Sequence, residues 1–184
     1  MTIKPDRWIR NMAEQQGMIE PFEPAQIGGS VVSYGLSSYG YDVRLAGEFK
    51  LLRDGGGVLD PKALDADTFV DVKAESLDLA PQTFVLGRTV EYLRIPPDVL
   101  TLCVGKSSYA RCGVLVNVTP FEPGWEGYAT LCIANMGPRP VRLHVGEGIA
   151  QVLFFESDEP CEVTYADRHG RYQAQQHITP ARVG

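Results

Sequence analysis

Apolar residues recur at helical spacing near the start of the chain and in short strand-like runs through the rest. Over residues 5–16 the stripe Trp8, Ile9, Met12 and Ala13 predicts one clear helix, opened by Pro5 and stopped by Gly17. From about residue 31 the runs are β-branched and aromatic, and Gly, Pro and Asp break them. They predict strands at Val31–Tyr34, Tyr41–Arg44, Phe69–Val72, Thr83–Leu86, Val90–Leu93, Leu100–Val104, Val114–Val118, Ala129–Ala134, Val141–Val145, Ile149–Glu156 and Cys161–Thr164. Turn signals fall between them at Asp54–Gly57, Pro96–Asp98, Pro123-Gly124 and Gly137-Pro138. Strands this short at roughly ten-residue spacing predict an all-β antiparallel sandwich or barrel. Strand and helix do not alternate, which argues against a doubly wound nucleotide-binding fold. Leu52–Ala66 is polar, Gly-rich and aperiodic, the pattern of a surface loop. The polar end, Gly170–Gly184, reads either as a frayed tail or as a segment ordered only over a ligand.

The 184 residues suit one domain, and 44% hydrophobic with 22% charged residues is ordinary globular composition. A net charge of −6 argues against a broad electrostatic nucleic-acid binder, which needs net or clustered positive charge. No apolar run is long enough to span a bilayer, and the opening MTIKPDRWIRNMAEQQG lacks the apolar core of a signal peptide, so a cytoplasmic protein is expected. Cys103, Cys112, Cys132 and Cys161 stand in mostly apolar contexts without a Cys-x-x-Cys pair, and are expected as buried reduced thiols. His144, His169 and His177 are scattered. Nothing matches the ligand spacing of a zinc site or the His-x-Glu and Pro-Cys-x-x-Cys signature of the zinc nucleobase deaminases, so no zinc is expected.

Chemistry concentrates in Gly105-Lys106-Ser107-Ser108-Tyr109-Ala110-Arg111-Cys112-Gly113, where two hydroxyls and two cations follow a strong strand. In a helical turn Ser107 and Arg111 share one face, and Lys106 and Arg111 suit phosphate oxygens. A short capped helix joining two strands explains the same residues. The next stretch, Val116-Asn117-Val118-Thr119-Pro120-Phe121-Glu122-Pro123-Gly124-Trp125-Glu126-Gly127, puts Glu122 in a Pro-rich turn. A carboxylate there could bind a sugar hydroxyl or activate water, or could be a solvated turn residue. Trp125 reads as core.

GKSSYARCG, NVTPFEPGWEG, GIAQVLFFES and YADRHGRYQAQ together resemble the bacterial dCTP deaminases, relatives of the trimeric dUTPases. SSYGYDVRLAGEF, TVEYLRIPPDVL and the opening helix fit the same resemblance, which covers nearly the whole chain as one domain, 1–184. It implies a distorted β-barrel of jelly-roll type, assembled as a homotrimer with active sites between subunits, and a tail over about residues 166–184 that closes on the nucleotide. The implied ligand is a pyrimidine deoxynucleoside triphosphate with Mg²⁺ bound through its phosphates, with neither nucleic acid nor membrane as partner. Local cations and Mg²⁺ allow such a ligand despite the net charge.

By the same resemblance, Lys106 through Arg111 forms the nucleotide-binding turn. Ser107 touches the reacting base or its water, Arg111 stabilises charge there, Lys106 and Ser108 sit by the phosphates, and Tyr109 and Ala110 belong to the turn. Thr130, Leu131 and Cys132 form the strand that reads the pyrimidine edge by main-chain hydrogen bonds. Gln151, Tyr165 and Gln175 match nucleotide contacts. Arg171 stands where relatives often carry a phosphate-binding lysine, and Glu122 matches a carboxylate near the deoxyribose.

One position departs. The family's strand reads Thr-Leu-Glu-Phe or Thr-Leu-Glu-Ile, and its glutamate passes protons between water and the base. Here the strand is Thr130-Leu131-Cys132-Ile133. A thiol with an ordinary pKa near 8.5 is shorter than a carboxylic acid and cannot shuttle a proton between two oxygens. Three readings follow. The protein is a relative with deamination lost or slowed; or it is repurposed, with Cys132 as a thiolate activated by Arg111, or Glu122 directing water at the phosphate chain as in a dUTPase-like pyrophosphohydrolase; or the cysteine is an introduced change in an ordinary deaminase. Retention for nucleotide binding alone belongs to the first reading.

Overall fold

The computed structural model describes residues 1–55 and 57–182. Gly56, inside the Asp54–Gly57 turn signal, and Val183 and Gly184, at the end of the tail, lie outside the described residues. The elements in chain order are β1 (Thr2–Ile3), α1 (Asp6–Gln16), β2 (Ile19–Glu20), β3 (Gln26–Ile27), β4 (Tyr34–Ser37), β5 (Gly40–Leu52), β6 (Phe69–Lys73) and β7 (Ser76–Leu79). There follow β8 (Phe84–Arg94), β9 (Val99–Gly105), α2 (Ser107–Ala110), β10 (Val114–Asn117), β11 (Glu126–Asn135), β12 (Val141–His144) and β13 (Gly148–Glu156).

The predicted helix forms. Ile9, Met12 and Ala13 are its buried face, and Gly17 ends it in the left-handed region at φ 64°, donating its N–H back to Ala13 O. Apart from the single turn of α2, the other regular elements among the described residues are strands. Among the described residues, eleven strands join one curled antiparallel sheet whose main path is β1-β13-β5-β8-β11-β10, and β7 pairs β12 in a second, two-stranded sheet. The long strand β5 turns the corner. Its first half pairs β13 (Tyr41↔Val152, Val43↔Ala150), its second half pairs β8 and β6, and the register shifts between Leu45 and Phe49. A sheet that changes partners along one strand in this way closes into a distorted barrel around a common core. Tyr41, Phe49, Leu93, Leu131, Ile133, Ile149 and Phe154 are fully buried in it.

Several predicted strands are corrected by tertiary contacts. Thr83–Leu86 and Val90–Leu93 are one strand, β8. Gly87, which reads as a break, is a packing glycine: a Cβ there would lie 3.1 Å from Leu45 Cδ1. The predicted Val31–Tyr34 strand moves to β4, because Val32 N donates to the Glu147 carboxylate (2.7 Å) and does not join a ladder. Cys161–Thr164 is not a strand. It is exposed to part-exposed chain, and Thr164 bonds the Asp167 carboxylate through both its amide (2.9 Å) and its hydroxyl (2.7 Å), which makes a local turn instead. The described residues of Leu52–Ala66 are loop apart from Leu52, the end of β5.

The tail also has a defined path. Beyond Asn117 the chain leaves β11, and the tail takes over the vacated side: Ala174 N donates to Glu126 O, Tyr128 N donates to Gln175 O, and Gln175 bridges Gly127 in parallel. Ile178 is buried beneath it. Over its described residues the tail therefore packs on the barrel of its own chain. Gly127 permits the approach. Its φ is +144°, and a Cβ there would sit 2.7 Å from Gln175 N. Gly127→Ala is expected to lift the tail at a cost of about 1–3 kcal/mol. Amide exchange over residues 172–180 should then rise at least tenfold while the barrel still melts cooperatively, and unchanged exchange would refute the contact.

Candidate functional site

Strict alternation along β11 builds the site's floor. Leu131 and Ile133 are fully buried in the core, so Thr130 and Cys132 project from the opposite face. On that face Cys132 stands directly across from Leu86 of β8 and Asn117 of β10. The three line a cleft of about 880 Å³, together with Leu100, the loop carrying Val118 to Pro123, Trp125, Thr130, Tyr165, Tyr172 and Gln175. Of the residues matched by resemblance, the fold thus brings Cys132, Thr130, Glu122, Tyr165 and Gln175 to one place.

Polar contacts order the walls. Thr130 Oγ1 donates to Gln175 Oε1 (3.3 Å) and accepts from Thr179 N (3.1 Å), which ties the tail to the floor. Trp125 is core, as the sequence predicts: it stacks on Phe121 with centroids 4.6 Å apart, and its indole N–H reaches out to Tyr172 O (2.7 Å). Tyr172 N donates to Tyr165 Oη (3.0 Å). Gly170 lies so close over the Tyr165 ring that a Cβ would overlap it at 2.1 Å. Glu122 is ion-paired with Arg168, whose guanidinium also lies over Tyr165, 5.7 Å from the ring centroid.

The second group of matched residues lies elsewhere on the chain. Lys106, Ser107, Ser108, Tyr109, Ala110, Arg111 and Gln151 do not line this cleft. The turn at residues 107–110 is the short helix α2 joining β9 to β10, and Arg111 Nη1 donates to Ser107 O (3.0 Å), so the predicted shared face exists. Ser107, Ser108 and Arg111 are exposed. Tyr109 is buried, and its hydroxyl accepts from His144 N (2.9 Å); Leu131 is fully buried too, so these two offer a ligand only main-chain atoms. Gln151 Nε2 donates to Ser37 Oγ (2.9 Å). Arg171 is exposed, and its carbonyl accepts from the Arg182 guanidinium.

The cysteines depart from expectation. Cys112 and Cys161 are exposed, and Cys103 and Cys132 are half-buried; desolvation pushes the Cys103 thiol up to about 12. Burial also raises the Cys132 thiol above its ordinary value. Within one chain Arg111 does not reach Cys132. Arg111 sits at the far end of the β10–β11 hairpin, beyond Val114↔Asn135, three residue pairs from Asn117↔Cys132, or about 10 Å at ~3.3 Å per residue. Cys132 in this site is a neutral thiol.

Sequence reasoning gave no role to Leu86, Asn117, Arg168, Tyr172 or Thr179. Arg168 and Tyr172 lie inside a quoted motif and could have been weighed there. Leu86 and Thr179 carry no local signal, because only strand pairing brings them to Cys132 and Thr130.

The family model described as dCTP deaminase-like matches residues 3–157. The chain belongs to that family. A dCTP deaminase of Janthinobacterium sp. (strain Marseille) is 58% identical over 97% of this chain and 98% of its own length. One from Paracidovorax citrulli (strain AAC00-1) is 60% identical over the same shares, and one from Herpetosiphon aurantiacus is 58% identical over the full length of both chains. Among solved structures, the 2'-deoxycytidine 5'-triphosphate deaminase from Agrobacterium tumefaciens matches with a TM-score of 0.61 at 18% identity, over 83% of this chain and 47% of that one. That likeness shows the fold: the curled barrel of this deaminase-like family, of dUTPase-like type, as the sequence predicts.

The neutral thiol makes a direct prediction. Iodoacetamide at pH 7.5 is expected to label Cys112 and Cys161 well before Cys132, and Cys132 labelling should accelerate only as pH rises through its elevated pKa. Peptide mass spectrometry would show it, and Cys132 reacting first would refute the assignment.

Proposed function

We propose that the protein binds dCTP as its Mg²⁺ complex in the cytoplasm and deaminates it to dUTP and ammonia without zinc, slowly, because a neutral thiol replaces the family's acid–base carboxyl. The observation that carries this reading is the placement of Cys132: it faces the cleft beside Thr130, in a chain of the dCTP deaminase-like family, with its proton held by burial. Deamination needs water attack at C4 with a proton taken from the water and one given to the ring. A thiol that stays protonated takes none. General acid–base catalysis contributes roughly 10²–10⁴-fold, so its loss raises the barrier by about 3–5 kcal/mol at ~1.4 kcal/mol per decade. Binding survives, because Thr130, Gln175, Tyr165 and the strand main chain are unaffected.

Mg²⁺ enters on the triphosphate, whose oxygens suit a hard cation. Among the described residues no cluster of three or more His, Cys, Asp or Glu side chains adds a separate set of ligands. Deaminase chemistry is favoured over pyrophosphate release through Glu122, since Arg168 already occupies that carboxylate.

The two groups of matched residues also support assembly. On one chain Lys106–Arg111 and the cleft stand apart, and Leu102, Val104 and Leu115 expose 42%, 46% and 55% of their surface on β9 and β10 next to α2. Apolar strand faces of this kind are covered by a partner. A homotrimer would cover them and carry α2 of one subunit to the cleft of the next.

The experiment is incubation with Mg²⁺ and dCTP, CTP or dUTP followed by anion-exchange separation of products, with sedimentation to give the mass of the assembly. Slow dUTP formation from dCTP, raised at least tenfold in Cys132→Glu, is expected from a trimer. No gain in Cys132→Glu would remove this position as the limit on the chemistry; monophosphate with pyrophosphate would transfer the reaction to Glu122; binding with no product would leave a nucleotide-binding relative. A monomer in sedimentation would refute the shared site.

A further inference from the structure

The hydroxyl of Thr130 stands on the cleft face of β11, where the tail crosses the strand. Thr179 N donates to Thr130 Oγ1 (3.1 Å), and Gln175 Oε1 lies 3.3 Å from the same oxygen. A main-chain N–H can only donate, so the hydroxyl is an acceptor toward Thr179, and its single proton needs an acceptor of its own. Gln175 supplies one when the oxygen of its carboxamide faces Thr130. Turned over, the carboxamide would make the hydroxyl accept twice and leave its proton without an acceptor among the described residues. The backbone holds this arrangement in place. Tyr128 N donates to Gln175 O (2.9 Å), and Ile178, between Gln175 and Thr179, is buried.

A carboxamide is planar, with oxygen and nitrogen on opposite sides of one carbon. Anchoring Oε1 on Thr130 therefore turns Nε2 away from the floor. Gln175 lines the cleft, and its Nε2 has no protein partner among the described residues yet is not sealed from solvent. We propose that Thr130 is a positioning residue: its hydroxyl sets the polarity of the Gln175 carboxamide, so that the tail offers the nucleotide an NH₂ donor and takes one of its oxygens. This rests on the reading above that the cleft binds the nucleotide. The bonds run in one direction, from Thr179 N–H to the Thr130 hydroxyl to the Gln175 oxygen, and each polarises the next. A carboxamide that accepts at oxygen is a better donor at nitrogen. The threonine side chain thus has work beyond the main-chain contacts that the resemblance gives this strand.

Thr130→Val keeps the branched shape and removes the hydroxyl, whereas Thr130→Ser keeps the hydroxyl. In titration calorimetry with Mg²⁺-dCTP, Thr130→Val is expected to bind about fivefold more weakly and Gln175→Met about tenfold more weakly. Thr130→Ser should stay within about twofold of the unaltered protein. Because Thr130 acts through Gln175, adding Thr130→Val to Gln175→Met should cost nothing further. Losses that multiply, or a Thr130→Ser as weak as Thr130→Val, overturn the proposal. The NH₂ proton signals of Gln175 in NMR are the second readout. They are expected to shift when Mg²⁺-dCTP is added, and signals that stay in place in protein that binds overturn the assignment of the donor. They carry the test, with Gln175→Met, should Thr130→Val not fold. If the unaltered protein binds no dCTP, the functional reading falls. Amide exchange at Thr179 without nucleotide then decides the tail contact: a rise of at least tenfold in Thr130→Val but not in Thr130→Ser is expected, and unchanged exchange overturns it.

Discussion

The register of β11 between β8 and β10 is the constraint from which the site follows. Leu131 and Ile133 occupy the core, so the residues between them have one direction left, and it leads into the cleft. A slip by one residue would bury Cys132 and Thr130 and expose two core side chains, which is why the register is strongly specified. The same strand then changes neighbours. Asn117 is the last residue of β10 to pair with it, and from Tyr128 to Gly127 the tail is its partner. One strand therefore carries core, floor and lid contact in turn.

Two buried carboxylates on the curled sheet show how the barrel treats charge. Glu91 is fully buried and bonds Arg44 through Oε1 (2.7 Å) and the Arg44 amide through Oε2 (2.9 Å), yet desolvation still pushes its carboxyl upward. Asp42 has a similar burial, and both of its bonds, from Lys106 and Gln26, fall on one oxygen. Such pairs add little net stability, because desolvating both charges offsets their attraction. Their effect is geometric: each fixes a cation, and the cation fixes a segment. For Arg44 the segment is the corner of β5. For Lys106 it is the turn that the family resemblance places at the nucleotide.

Chemistry at the cleft is governed by what burial does to one thiol. A carboxyl at position 132 could be partly ionised near neutrality even with some desolvation, since its ordinary pKa lies far below 7. A thiol starts above neutrality, and the same burial carries it further away. Cys132 therefore lies on the wrong side of pH 7 for a proton acceptor, and its hairpin partner Asn117 is neutral as well. Glu122 does not replace it, being paired with Arg168 at the rim.

Local pattern in the sequence determined the helix, the cores of most strands and the all-β class, because periods of 3.6 and 2 are set by which side of an element faces the core. The unusual motifs of the dCTP deaminase resemblance led to Thr130, Cys132, Glu122, Tyr165 and Gln175 before any fold was described, since spacing along the chain survives in the text. Tertiary structure alone decided that Gly87 is packing and not a break, that Lys106 points inward while Arg111 stays exposed, and that Leu86, Asn117 and Thr179 complete the cleft. The reason is that pairing partners lie tens of residues apart: Cys132 meets Leu86 across 46 positions, and Lys106 meets Asp42 across 64. A residue's charge is written in its name, but the charge that answers it is chosen by the fold.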